Sequence, residues 1–243
     1  MKYARGFLEL QLRFAETVAE LAGLSLERAL LDYTNLYIRF GIGRDFDPAH
    51  PRWQGYLAGL RAADSPGEWT HQFYLACPPV PPAPGLVATF GCFAYALLSD
   101  GRVRLHFRNA EPPTRSPLAH ERRAERVAEL RALFDHASRR LPDSTPVAGA
   151  SWLYNLEAYR RLVPRAYVDS GQVVRGRFQR MPLWGQFVDR HGEVKEDAAK
   201  AFLDRLDRQV ALDGLDECFP FQVIGVQAPL RVFLDCYRTG GPR

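Results

Sequence analysis

Apolar residues recur along residues 6–40 at steps of three and four. Phe7, Leu10, Phe14, Val18 and Leu21 form one stripe, the spacing of a helix with a single buried face. Gly23 is placed to stop that helix, and Ser25 to cap a second one carrying Leu26, Leu30, Tyr33 and Tyr37 as far as Gly41. After a loop at 41–52, residues 53–63 fit a short helix. The stretch 78–84 (PPVPPAP) reads as extended linker, because proline fixes φ and lacks the N–H that a helix or sheet ladder needs.

Beyond the prolines the pattern changes to strands. Residues 86–98 and 102–108 flank Ser99-Asp100-Gly101, a strong hairpin signal. In the second run Val103, Leu105 and Phe107 share one face, and Arg102, Arg104, His106 and Arg108 the other. A two-residue turn sets His106 opposite Tyr95, Arg104 opposite Leu97 and Arg108 opposite Phe93, a mixed basic and aromatic surface suited to an anionic ligand. A three-residue turn shifts the partners to Ala94 and Ala96, and the aromatic component is lost.

Ser116-Pro117 signals a helix running to about 141, with Val127, Leu130, Phe134, Ala137 and Leu141 on its apolar face. A strand at 147–153 and a helix at 156–163 follow. Strands are then expected at 172–179 and 183–188, a turn at Asp189–Gly192, a helix from Lys195 to about Ala211, and strands at 221–227 and 230–237. Helices and strands interleave without a regular βαβ rhythm, which predicts an α+β chain with a mixed sheet and packed helices. The expected organisation is a helical N-terminal domain at 1–77, a linker at 78–84 and an α/β domain at 85–243.

Composition narrows the function classes. With 243 residues, 47% hydrophobic and 25% charged, the chain is of ordinary globular type. A net charge of +4 is too weak to argue for nucleic acid, although only three of the 32 cations are lysine (Lys2, Lys195, Lys200). No apolar run is long enough for a membrane span, and the N-terminus carries no signal-peptide core, so a cytoplasmic protein without a membrane partner is expected. Cys77, Cys92, Cys218 and Cys236 make no C-x-x-C pair and have no histidine at ligand spacing. They read as reduced, buried thiols, and no metal is expected.

Three further places carry candidate chemistry. Arg115, Ser116, Arg122 and Arg123 gather where the long helix begins, and helix N-termini attract anions. Salt bridges to Glu121 and Glu125 are the structural alternative there. The strand at 147–153 ends in Ser151, Trp152, Tyr154 and Asn155, where a hydroxyl can donate a proton and the indole can wall a pocket, or simply fill the core. Trp184 and Gln186 share one face of the expected strand at 183–188.

Leu105-His106-Phe107, the helix at 117–141, Ser151-Trp152-Leu153, the helix Glu157–Val163 and Phe178-Gln179 occur in an order that resembles part of the GNAT-like acyltransferases with a helical N-terminal domain. The resemblance covers about a third of the chain. It implies a mixed, mostly antiparallel sheet in which neighbouring parallel strands splay apart to admit the pantetheine arm of acyl-CoA as co-substrate. On that reading His106 is the general base, and Tyr154 or Ser151 protonates the leaving thiolate. Arg108, Arg115, Ser116 and Arg122 meet the cofactor, and Tyr95, Arg104, Trp152, Asn155, Trp184 and Gln186 line the pocket of a small-molecule substrate. The loop at 109–117 departs from the family, since it holds prolines and no glycine. The competing expectation is a non-catalytic binding or interaction protein that uses the same sheet to hold an anionic ligand or partner. Oligomeric state is left open.

Overall fold

The structure is a computed structural model that describes residues 2–112, 115–176 and 180–242. Its elements follow the order α1 (Arg5–Ala22), α2 (Leu26–Tyr33), α3 (Leu36–Arg39), α4 (Pro51–Ala62), α5 (Pro66–Ala76), β1 (Leu86–Phe90), β2 (Phe93–Leu97), β3 (Val103–Phe107), α6 (Arg123–Ser138), β4 (Pro146–Ser151), α7 (Glu157–Arg160), α8 (Arg165–Asp169), β5 (Gln172–Val173), α9 (Glu196–Leu206), β6 (Ile224–Pro229) and α10 (Leu230–Arg238). The chain is α+β, with a helical N-terminal region and a six-stranded mixed sheet. No helix among the described residues is long and apolar enough to cross a membrane.

Two compact units divide the chain. One holds residues up to Pro81 together with Arg175–Gln222, and the other holds Pro82–Val174 together with Val223–Arg243. The break near the prolines coincides with the expected linker. The segment 175–222 differs from expectation, because it belongs with the N-terminal helices rather than with the sheet.

In the helical unit the stripe of α1 buries Phe7, Leu10, Phe14 and Val18. Gly23 takes φ 61°, a left-handed cap that favours glycine, and its N–H reaches the Ala19 carbonyl. The Ser25 hydroxyl accepts from the Arg28 N–H at 3.2 Å and so starts α2. Phe14 packs on Trp184, Phe202 and Phe219, with ring centroids 5.3, 5.7 and 5.4 Å away. Residues 183–187 form a 3-10 helix instead of the expected strand. Leu183, Trp184, Gln186 and Phe187 are all buried, which strand alternation does not allow.

The sheet unit is ordered β1-β2-β3-β4-β6-β5. Every pair is antiparallel except β3–β4. The expected single strand at 86–98 is two strands, because Gly91, at φ 55°, and Cys92 turn the chain so that Phe90 pairs with Phe93. The turn between β2 and β3 is the three-residue one. Leu98 receives an N–H from Gly101 and donates its own to Arg102, so Ala94 faces His106, Ala96 faces Arg104 and Tyr95 faces Leu105. The long helix also begins later than expected. Pro117 and Leu118 lie in a turn, residues 120–122 form a 3-10 turn, and α6 starts at Arg123. The expected strand at 230–237 is α10, whose buried residues Leu230, Phe233, Leu234 and Tyr237 fall at i, i+3, i+4 and i+7. Phe134 of α6 stacks on Phe233 and Tyr237 of α10 at 4.3 and 5.7 Å.

Replacing Ser25 with alanine removes the cap of α2 and is expected to cost about 1 kcal/mol. Urea denaturation checks this, with Ser25→Asp expected to avoid most of the loss.

Candidate functional site

The sheet opens where its one parallel pair ends. β3 and β4 are in register only at Val103 with Val147 and Arg104 with Ala148, although β3 continues to Phe107 and β4 to Ser151. Each strand keeps its partner on the other side, β2 for β3 and β6 for β4. Beyond Arg104 and Ala148 the two facing edges are not paired with each other.

Two buried tyrosines meet over Gly149, the residue of β4 just past the last registered pair. The Tyr154 and Tyr167 hydroxyls are 3.1 Å apart, and the Tyr159 ring lies edge-on to that of Tyr154, 5.2 Å between centroids. Gly149 makes their approach possible. A Cβ there would stand 2.1 Å from the Tyr154 hydroxyl and 2.6 Å from that of Tyr167. Both rings are buried in the core of the sheet unit, and the Tyr237 hydroxyl donates to the Leu162 carbonyl at 2.8 Å. Burial raises the phenol pKa of Tyr154, Tyr159, Tyr167 and Tyr237, so each holds its proton at neutral pH.

The residues singled out from sequence do not all come together. His106 is half-buried on β3. It points away from the face of Leu105 and Phe107, which pack in the core with Tyr154. His106 and Tyr154 thus lie on opposite faces of the sheet. Arg104 is exposed on the His106 face. Tyr95 is on the other face, fully buried, with its hydroxyl 2.9 Å from His136 Nδ1. The expected pairing of Tyr95 with that basic face fails for the physical reason given above, a turn one residue longer. Ser151 accepts from the Leu153 N–H at 3.1 Å and caps the 3-10 turn at 152–155, and the Asn155 amide donates to the Trp152 carbonyl at 2.8 Å. Trp152 is half-buried in the same turn.

Trp184 and Gln186 belong to the helical unit. The Trp184 indole donates to the Tyr33 carbonyl, and the Gln186 amide donates to and accepts from the backbone of Phe221. Arg108, Arg115 and Ser116 are exposed. Phe178 and Gln179 lie outside the described residues. The expectation of four buried thiols holds for Cys92 and Cys218, whereas Cys77 and Cys236 are half-buried. All four are free, and burial pushes each thiol pKa up.

Arg122, the remaining candidate, leads into a charged cluster that sequence reading does not assemble. Its guanidinium is 2.7 Å from Glu111 and 2.6 Å from Glu125. Arg126, only 1% exposed, reaches Glu111 at 2.9 Å and both Glu125 and Glu129 at 2.8 Å, and it also contacts the Cys92 sulfur. Glu129 accepts from the Cys92 N–H at 3.1 Å, and Gly91 leaves room for its carboxyl. Arg122 beside Glu111 lowers the Glu111 pKa, whereas burial raises that of Glu129. One signal was available in the sequence: Arg126 falls on the stripe of Leu130, Leu133 and Ala137, the buried face of α6.

The helical unit carries clefts of its own. Leu26, Leu57, Leu60 and Pro66 line one, and Leu31, Trp53, Gln54 and Leu57 line a second, with Glu27 and Arg61 common to both. The Glu27–Arg61 ion pair, 3.0 Å long, stands where they meet. Comparison with protein-family models, with curated proteins and with solved structures gave no match to this chain.

Two predictions follow from the buried groups. Gly149→Val drives a side chain into the two hydroxyls and is expected to destabilise the fold by at least about 2 kcal/mol, measured by chemical denaturation. Glu129 binds its proton more tightly folded than unfolded, so its contribution to stability is complete at acid pH and is lost as pH rises through its raised pKa. Stability curves of Glu129→Gln and the unaltered chain should therefore separate progressively as pH rises from the ordinary glutamate range.

Proposed function

We propose that this chain is an acyl-CoA-dependent acyltransferase that moves an acyl group to an amine or hydroxyl of a small acceptor. The observation that supports the reading most is the parting of β3 and β4 after two registered residues. Backbone N–H and C=O groups on the edges not paired with each other are strong hydrogen-bonding groups that need partners, and a pantetheine arm carries amides able to supply them. Tyr154 lies against Gly149 beside this opening with its phenol protonated.

The acceptor's nitrogen or oxygen attacks the thioester carbonyl, the C–S bond breaks, and the departing sulfur takes a proton from Tyr154. His106 takes the acceptor's proton from the other face of the sheet. Since the two side chains lie on opposite faces, this reading requires the reacting carbon to sit between the two strands, within reach of both. Holding both reactants there converts a bimolecular step into an effectively unimolecular one.

A specific observation favours a second reading, a non-catalytic protein that binds an anionic ligand or partner. Arg122 and Arg126, at the helix start where a diphosphate would sit, are already engaged by Glu111.

Coenzyme A at millimolar concentration is expected to raise the melting temperature by mass action. An unmoved melting temperature would favour the second reading. With an acetyl donor and a panel of amines, Tyr154→Phe should lower kcat by about 100-fold or more. His106→Ala should abolish transfer at neutral pH while its melting temperature stays near that of the unaltered chain. A large drop in melting temperature would instead make the histidine structural.

A further inference from the structure

The Arg122–Arg126 pair has the composition of an anion site, and its occupant comes from outside the helix. Glu111 precedes α6 and places one carboxylate oxygen 2.7 Å from Arg122 Nη2 and 2.9 Å from Arg126 Nη2. The side chain of Glu111 is only 7% exposed, and that of Arg126 only 1%. The other two carboxylates of the cluster belong to α6 itself: Glu125 bridges Arg122 at 2.6 Å and Arg126 at 2.8 Å, and Glu129 reaches Arg126 at 2.8 Å. The start of α6 has no side-chain cap, so the N–H groups of its first turn receive no side-chain acceptor there. The Nε–H groups of Arg122 and Arg126 are buried without a partner. A guanidinium offers five donors in a fixed fork, and the three carboxylates leave the Nε–H of each arginine unused.

We infer that Arg122 and Arg126 form a phosphate-binding site which Glu111 occupies as a built-in competitor, so that a diphosphate-bearing ligand enters only by displacing a carboxylate of the same chain. The inference rests on the acyl-CoA reading for the identity of that ligand and adds a form of regulation to it. A diphosphate brings more negative charge and more acceptor oxygens than the carboxylate it replaces, and it can use the donors that Glu111 leaves idle. Affinity is then set by the difference between the two anions rather than by the arginines alone.

The test uses the full chain and inorganic pyrophosphate, with binding measured by calorimetry. Glu111→Gln keeps the shape of the side chain and one acceptor oxygen but removes the charge. It is expected to bind pyrophosphate at least about tenfold tighter than the unaltered chain, since weakening a competitor of one charge-assisted pair is worth about 1.4 kcal/mol or more. Adding Arg122→Ala to that variant should return the affinity to the starting value or below. Equal affinity for pyrophosphate with and without Glu111→Gln overturns the inference. So does a Glu111→Gln chain that fails to fold by circular dichroism, because the carboxylate is then a structural strut. Coenzyme A in parallel separates the two claims. Tighter pyrophosphate binding with no coenzyme A binding to either chain keeps the site and removes the acyl-CoA reading. Coenzyme A binding that is indifferent to Glu111→Gln keeps that reading and removes the competitor.

Discussion

A buried hydroxyl must find a hydrogen bond, and in the sheet unit that requirement fixes the residue at position 149. Tyr154 and Tyr167 meet through their hydroxyls deep in the core, and they do so directly over β4. An unpaired hydroxyl in such a place costs on the order of 1–3 kcal/mol. The pair avoids that cost only because Gly149 has no side chain. The same stretch of β4 is where β3 leaves it, so the tyrosine pair, the glycine and the opening of the sheet form one arrangement.

The second constraint is charge. Arg126 is almost fully enclosed, and a lone buried cation would be strongly destabilising. Three carboxylates and a sulfur surround it, which ties the turn at Gly91-Cys92, the approach to α6 and the first two turns of α6 to a single guanidinium. Burying charge in this way need not add net stability compared with an apolar core, but it does define which partner each element must face.

Much of this was legible in the residues. The stripe of α1, its glycine stop, the serine cap of α2 and the hairpin after Leu97 all follow from local chemistry that the tertiary structure does not override. So does the turn at Asp189, whose carboxylate accepts from the His191 and Glu193 N–H groups. The failures have equally physical sources. Residues 86–98 are apolar almost throughout, and only the left-handed φ of Gly91 shows that the run folds back. Residues 230–237 carry enough apolar side chains to satisfy a strand as well as a helix, and packing on Phe134 decides for the helix. The candidate site was legible in part. Tyr154 and Gly149 stand five residues apart, but Tyr167 and Glu111 join their clusters from other elements, and no local spacing announces that.

The helical unit is assembled from two stretches of chain far apart in sequence, and this affects the order in which the protein can be made. Phe14 is synthesised early, but its ring partners Trp184, Phe202 and Phe219 emerge from the ribosome only after the whole of β1 to β5. Until then Phe14 lacks those three rings, although α1 already has α2 and α5 to pack against. The sheet unit waits longer still, because β6, which sits between β4 and β5, is the last strand to be made.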